Sequence, residues 1–139
     1  MAMQTTVERI DGRVPVTVMA LAGELDASNY LRLVDDVRPI YASGARHLLL
    51  DLTDLTFISS SGLVSLFSIL KVMQGQEPPD PEYGWSALHE MERGAEEGAQ
   101  QNAVRLVGMR PEVAGVLQRT GLDALFPSHP DRESALAAF

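Results

Sequence analysis

The chain of 139 residues contains no cysteine. Disulfides, thiolate zinc sites and a catalytic thiol are thereby excluded, and the fold must hold by its core alone. That is feasible at this length, which suits one domain able to bury a sizeable interior without covalent staples. Long hydrophobic runs are missing as well. The longest apolar stretches are of strand length, well short of the roughly 20 residues that a membrane-spanning helix needs. The first residues, MAMQTTVERIDG, lack the basic region and apolar run of a signal peptide. Together with the absent thiols, this fits a cytoplasmic protein.

Positive charge is scarce: 11 Lys and Arg stand against 19 Asp and Glu, for a formal net charge of -8. An acidic surface repels phosphate backbones and anionic lipid, which argues against binding nucleic acid and against membrane insertion. The excess is concentrated. Residues 74–102 hold seven acids (Glu77, Asp80, Glu82, Glu90, Glu92, Glu96 and Glu97) against Arg93 alone, leaving the rest of the chain near neutral.

What is present is an orderly alternation of strand and helix signals. Residues 6–10 and 14–21 read as two strands joined at Asp11-Gly12, a pair that tolerates the positive φ angles of a tight hairpin. The second run, VPVTVMAL, is nearly all apolar, as for a strand covered on both faces. A helix is expected from about Ser28 to Ser43, with Tyr30, Leu33, Val34, Val37, Ile40 and Tyr41 as its stripe and Asp26 or Ser28 as its cap. Pro39 predicts a kink or an early end there. HLLLDL (47–52) reads as a buried strand, with Asp51 and Asp54 as turn formers after it. A second helix from about Ser61 to Met73 buries Leu63, Leu66, Phe67, Leu70 and Met73. AVRLVG (103–108) is the next strand, and Pro111 opens a third helix that Gly121 closes. Leu125-Phe126 reads as a short edge strand, and Ser128 with Asp131 as the start of a terminal helix. A hairpin followed by alternating helices and strands predicts an α/β fold: a mixed sheet of four to five strands with helices packed on it.

The segment LLLDLTDLTFISSSGLVSLFSIL (48–70) resembles the signature of the STAS family, whose bacterial members antagonise anti-sigma factors. Asp51, Phe57, Ile58, Ser59, Ser60, Ser61, Gly62 and Leu63 fall on the family's pattern of strand, link and phosphorylatable turn. GELDAS (23–28) is similar to the family's first-strand exit, and MRPEVAGVLQRTGLDALF (109–126) to its third helix and last strand. The resemblance covers about residues 6–73 and 103–139. Two features depart from the pattern. The position before the phosphoacceptor, often Asp in the family, is Ser59, and the connection after the second helix is about twenty residues longer than usual. The implied organisation is a single STAS domain over 1–139 with an acidic insertion at about 74–102. From Trp85 the insertion shows amphipathic helical spacing, interrupted by Gly94 and Gly98. It is either a resumed helix with its acids in water or a partner-specific flap.

The resemblance implies that Ser60 is the phosphorylation site, with Ser59 and Ser61 as alternatives, and that Asp26, Ser59, Ser60, Ser61, Gly62 and Leu63 form the partner-binding surface. A plain structural account of the serines exists too, because a Ser hydroxyl is a favoured cap for the orphan N–H groups at a helix start. Asp26 is likewise either a cap or part of the docking surface. The implied partner is an anti-sigma factor serine kinase, and self-association as a homodimer stays open. The alternative is a STAS interaction module of a transporter-associated or stress-signalling complex, without phosphorylation. An enzyme ranks last: His47, His89 and His129 are scattered, no Gly-x-Ser-x-Gly elbow or Gly-rich phosphate loop occurs, and no cofactor or metal is expected.

Overall fold

The computed structural model of the protein describes residues 3–78 and 101–139. Strands β1 (Gln4–Asp11) and β2 (Pro15–Leu25) form the hairpin. Helix α1 (Tyr30–Ala42), strand β3 (Leu48–Ile58) and helix α2 (Ser60–Met73) follow. Then come β4 (Val104–Val107), α3 (Pro111–Thr120), a single 3-10 turn at Leu122–Ala124, β5 (Ser128–His129) and α4 (Arg132–Ala138). The five strands lie in the order β1-β2-β3-β4-β5, with β1 antiparallel to β2 and every later pair parallel.

Period-two alternation sends the apolar residues of the central strands to two cores. Met19, Leu21, Leu48, Leu50, Leu52, Val104 and Leu106 face the layer of α1, α2 and α3. Val16, Val18, Leu49 and Val107 face the other way, where Ala135 and Phe139 of the chain end cover them. Helix α2 is buried almost all round, and even Ser65 and Ser68 are interior. Their hydroxyls donate to the carbonyls of Gly62 and Val64 at 2.7 and 2.8 Å, so that no polar group is stranded.

Several local expectations are corrected. The hairpin loop is Gly12–Val14, and neither Asp11 nor Gly12 adopts a positive φ. Helix α1 continues three residues beyond Pro39, to Ala42. A proline this close to a C-terminus costs only one backbone bond. Neither Asp26 nor Ser28 caps the helix. The N-cap is Asn29, whose side chain makes no cap bond. Asp51 and Asp54 lie within β3, which runs six residues past the expected end. The strand continues because two bulges against β2 absorb extra residues, between Asp51 and Asp54 and between Leu55 and Phe57. The Asp51 carboxylate supports the first bulge, accepting from the Thr53 N–H at 3.0 Å and its hydroxyl at 2.6 Å. Leu125 and Phe126 are core residues after the 3-10 turn, and the last strand is Ser128–His129, so Ser128 does not start the final helix. Asp131 does cap it, accepting from the Ser134 N–H at 2.8 Å. The helix expected from Trp85 lies outside the described residues.

Arg132, at the start of α4, ties the second layer down. Its Nε donates to Asp51 Oδ2 at 2.9 Å, and its Nη1 reaches Glu8 on β1. Burial pushes the Asp51 carboxyl up, but the Thr53 and Arg132 bonds outweigh it and hold the group below its ordinary value. A carboxyl depressed in the folded state stabilises fully above its unfolded value of about 3.9 and loses that contribution as pH falls through the lower folded value. Asp51→Asn is therefore expected to lower stability at pH 7 by about 1 kcal/mol, a figure discounted because Arg132 is partly in water. In urea unfolding, the gap between wild type and variant should narrow from pH 7 to about pH 3. An equal gap at both pH values would refute the charge account.

Candidate functional site

The serine cluster sits where β3 hands over to α2. Leu25 and Ile58, the last residues of β2 and β3, are paired neighbours. One residue on, the Ser59 N–H donates to the Leu25 carbonyl at 2.9 Å. This bond fixes the exit of β2, and with it Asp26, beside the serine turn.

The three serines have different environments. Ser59 is the N-cap of α2, with extended backbone, and its hydroxyl oxygen accepts from the Gly62 N–H at 3.2 Å. Its hydroxyl is therefore occupied in starting the helix. Ser60 is the first helical residue and is exposed, and among the described residues its hydroxyl makes no hydrogen bond. Ser61 is half-buried. Gly62 and Leu63 are buried, so these two shape the turn from beneath and offer a partner little surface.

Gly62 is required by space. A Cβ there would lie 2.6 Å from Ile58 Cγ1 and 2.9 Å from the Leu25 carbonyl oxygen. Only glycine lets the first turn of α2 approach the strand ends this closely.

Asp26 is held in a turn of its own. Its carboxylate accepts from the Ser28 hydroxyl at 2.6 Å and the Ser28 N–H at 2.9 Å, and these bonds hold the carboxyl below its ordinary value. Asn29 braces the same loop: its Oδ1 accepts from the Asp26 N–H at 3.0 Å and its Nδ2 donates to the Glu24 carbonyl at 2.8 Å. Asp26 thus belongs to the surface beside the serines and does not cap α1.

Sequence reasoning missed three residues around the site, Phe57, Leu31 and Asn29. Phe57, two residues before the cap, is 48% exposed, as is Leu31 in the first turn of α1. Strict alternation from the buried Leu55 would turn Phe57 inward, but the bulge at Thr56 reverses the phase. Asn29 carried the one legible signal, an Asn just ahead of an apolar-periodic run. The arrangement offers an exposed hydroxyl at a helix N-terminus, an apolar anchor beside it and a fixed carboxylate across the strand exits. Among the described residues it assembles no nucleophile–base pair.

Comparison with known proteins agrees with the fold. The family model for the STAS domain matches residues 5–77, and the chain belongs to that family. Among its relatives is BtrV, a provisionally assigned anti-sigma factor antagonist of Bordetella bronchiseptica, 26% identical over 137 residues that span 99% of this chain and 95% of BtrV. The crystal structure of an anti-sigma factor antagonist from Mycobacterium paratuberculosis superposes with a TM-score of 0.67 at 24% identity, covering 99% of this chain and 93% of that one. The Bacillus cell fate determinant SpoIIAA, in its phosphorylated form, gives a TM-score of 0.60 at 14% identity, over 98% of this chain and 100% of that one.

Two glycine substitutions test the packing. Gly62→Ala should destabilise the protein by about 1–3 kcal/mol, because the added methyl meets backbone and core. Gly115→Ala in α3 should stabilise it by about 0.5–1 kcal/mol, because its Cβ would meet only the flexible end of Arg119, at 3.4 Å. Denaturant titration of both variants measures the contrast, and equal effects would refute the close approach at Gly62.

Proposed function

We propose that the protein is a cytoplasmic, non-enzymatic anti-sigma factor antagonist. It binds an anti-sigma factor that is a serine kinase, and phosphorylation of Ser60 by that kinase ends the binding. The reading is carried by one observation: Ser60 is the exposed serine of the cluster and its hydroxyl makes no hydrogen bond among the described residues, while Ser59, the helix cap, and Ser61 are half-buried. The family membership and the antagonist assignments of its relatives support the same reading. The phosphorylated form of SpoIIAA shows that this fold can carry a phosphate in a relative.

The physical logic is local. A phosphate on Ser60 would stand at the start of α2, where unpaired N–H groups and the positive end of the helix dipole favour an anion. The domain therefore tolerates it. A partner packed on Phe57 and the turn does not, because about -1.5 to -2 charges would enter a surface it must desolvate, next to the fixed carboxylate of Asp26. Each tenfold loss of affinity needs only about 1.4 kcal/mol. The single STAS domain spans 1–139 and includes the acidic insertion at about 74–102. The competing account, in which the serines only cap, explains Ser59 and leaves Ser60 without a role.

Ser60→Ala is expected to keep partner binding and to abolish labelling by the kinase. Ser60→Asp should weaken binding about tenfold or more without unfolding the domain, since Asp is itself accepted in a first helical turn. A kinase assay on each single Ser→Ala variant, paired with a binding titration, reads both effects. Labelling lost only in Ser59→Ala or Ser61→Ala would move the site. Unchanged binding by Ser60→Asp would remove the charge switch. Phe57→Ala should cost about 1–2 kcal/mol of binding and less than that in unfolding, because the residue is already 48% exposed in the free protein.

A further inference from the structure

At the opposite end of the sheet from Ser60, where β2 and β3 begin, the structure holds a pocket of about 410 Å³. That volume lies within the range of small-ligand sites, about 300–1,000 Å³. Its lining is cationic. Arg9, Arg46 and His47 line it together with the apolar surfaces of Val14, Pro15 and Ala45, and no carboxylate is among the described lining residues.

Two of these groups are already positioned. Arg46 Nη1 donates to the carbonyls of Tyr41 and Ala45 at 3.0 and 2.9 Å, and its guanidinium lies 4.0 Å over the Tyr41 ring. These contacts fix the planar fork while using only one of its three nitrogens, which leaves a preorganised donor edge. His47 Nδ1 lies 2.8 Å from the Asn102 carbonyl. A carbonyl only accepts, so that nitrogen carries the proton and Nε2 is the ring's remaining polar atom. Arg9 pairs with Asp11 at 3.9 Å, but both side chains are well exposed, so a ligand can recruit Arg9 at small cost.

We infer that this pocket is a second binding site, separate from the serine turn, for a small oxyanion, either a phosphate monoester or a carboxylate bearing a short apolar group. The guanidiniums of Arg9 and Arg46 hold the anion, and Val14, Pro15 and Ala45 cover the apolar part. Arg–oxyanion recognition of this kind is planar and can be bidentate, which gives it direction as well as charge.

The test is an amide NMR titration of the full chain, at constant ionic strength, with inorganic phosphate, propyl phosphate and butyrate in separate arms. Saturable shifts are expected at Thr17 and at residues 44–47, with propyl phosphate or butyrate binding more tightly than inorganic phosphate. The stronger of the two organic probes identifies the anion class. Arg9→Gln, which removes only the exposed pair with Asp11, and Arg46→Gln should each weaken binding about tenfold. Thermal melts check that Arg46→Gln remains folded, and Ser60→Ala should bind the probes like the wild type. Shifts that never saturate, or that persist unchanged in Arg9→Gln, would overturn the site. Neither result bears on the kinase assay at Ser60.

Discussion

The carbonyl of Leu25 is the point on which the serine turn depends. It accepts the Ser59 N–H at 2.9 Å and stands 2.9 Å from where a Cβ on residue 62 would lie. The first contact joins the ends of two parallel strands, and the second lets a helix start directly above them. If the turn moved outward to make room for a side chain, that hydrogen bond would lengthen and the Ser59 cap would lose its register with Gly62. The exposed hydroxyl of Ser60 is held in place by this closeness, with no bond of its own among the described residues.

Rigidity beneath the site is matched by openness above it. Helix α2 is buried nearly all round and bonds its two interior serines to its own carbonyls. The loop after β2 is braced separately, through Asn29 to Glu24 and Asp26. A charge added at Ser60 then has little to rearrange within the domain. Under the proposed switch, its effect would fall on a partner packed against Phe57, so that a small covalent change is read while the fold stays intact. The C-terminal helix acts as a brace from the far side, with Arg132 linking α4 to the edge strand and to the bulge in β3.

The mixed sheet, the hairpin opening it and the order of helices were legible because they rest on local signals. Runs such as VPVTVMAL and HLLLDL declare strands buried on both faces, and the stripe from Leu63 to Met73 declares a helix. The serine turn was legible for a related reason: a cap, a glycine and the flanking apolar pair lie within a few consecutive residues. The misreadings share one cause. Asp51 and Asp54 have turn chemistry, but pairing with β2 kept the strand going and absorbed them as a bulge. Leu125 and Phe126 have strand propensity, but the core under α3 claimed them.

The sequence by itself determined which segments become strands and helices, where α2 starts and that residue 60 carries a hydroxyl at that start. Only the tertiary structure decided which serine is exposed, that Phe57 reaches water and that Asp26 stands beside the turn. The reason is physical. Periodicity and capping depend on neighbours three or four residues away, whereas exposure depends on which strand lies alongside and in what register. A bulge of one residue reverses every side chain that follows it. No local pattern in TDLTFI encodes that reversal, because it is set by the pairing of Gly23 with Leu55 and of Glu24 with Phe57 across the sheet.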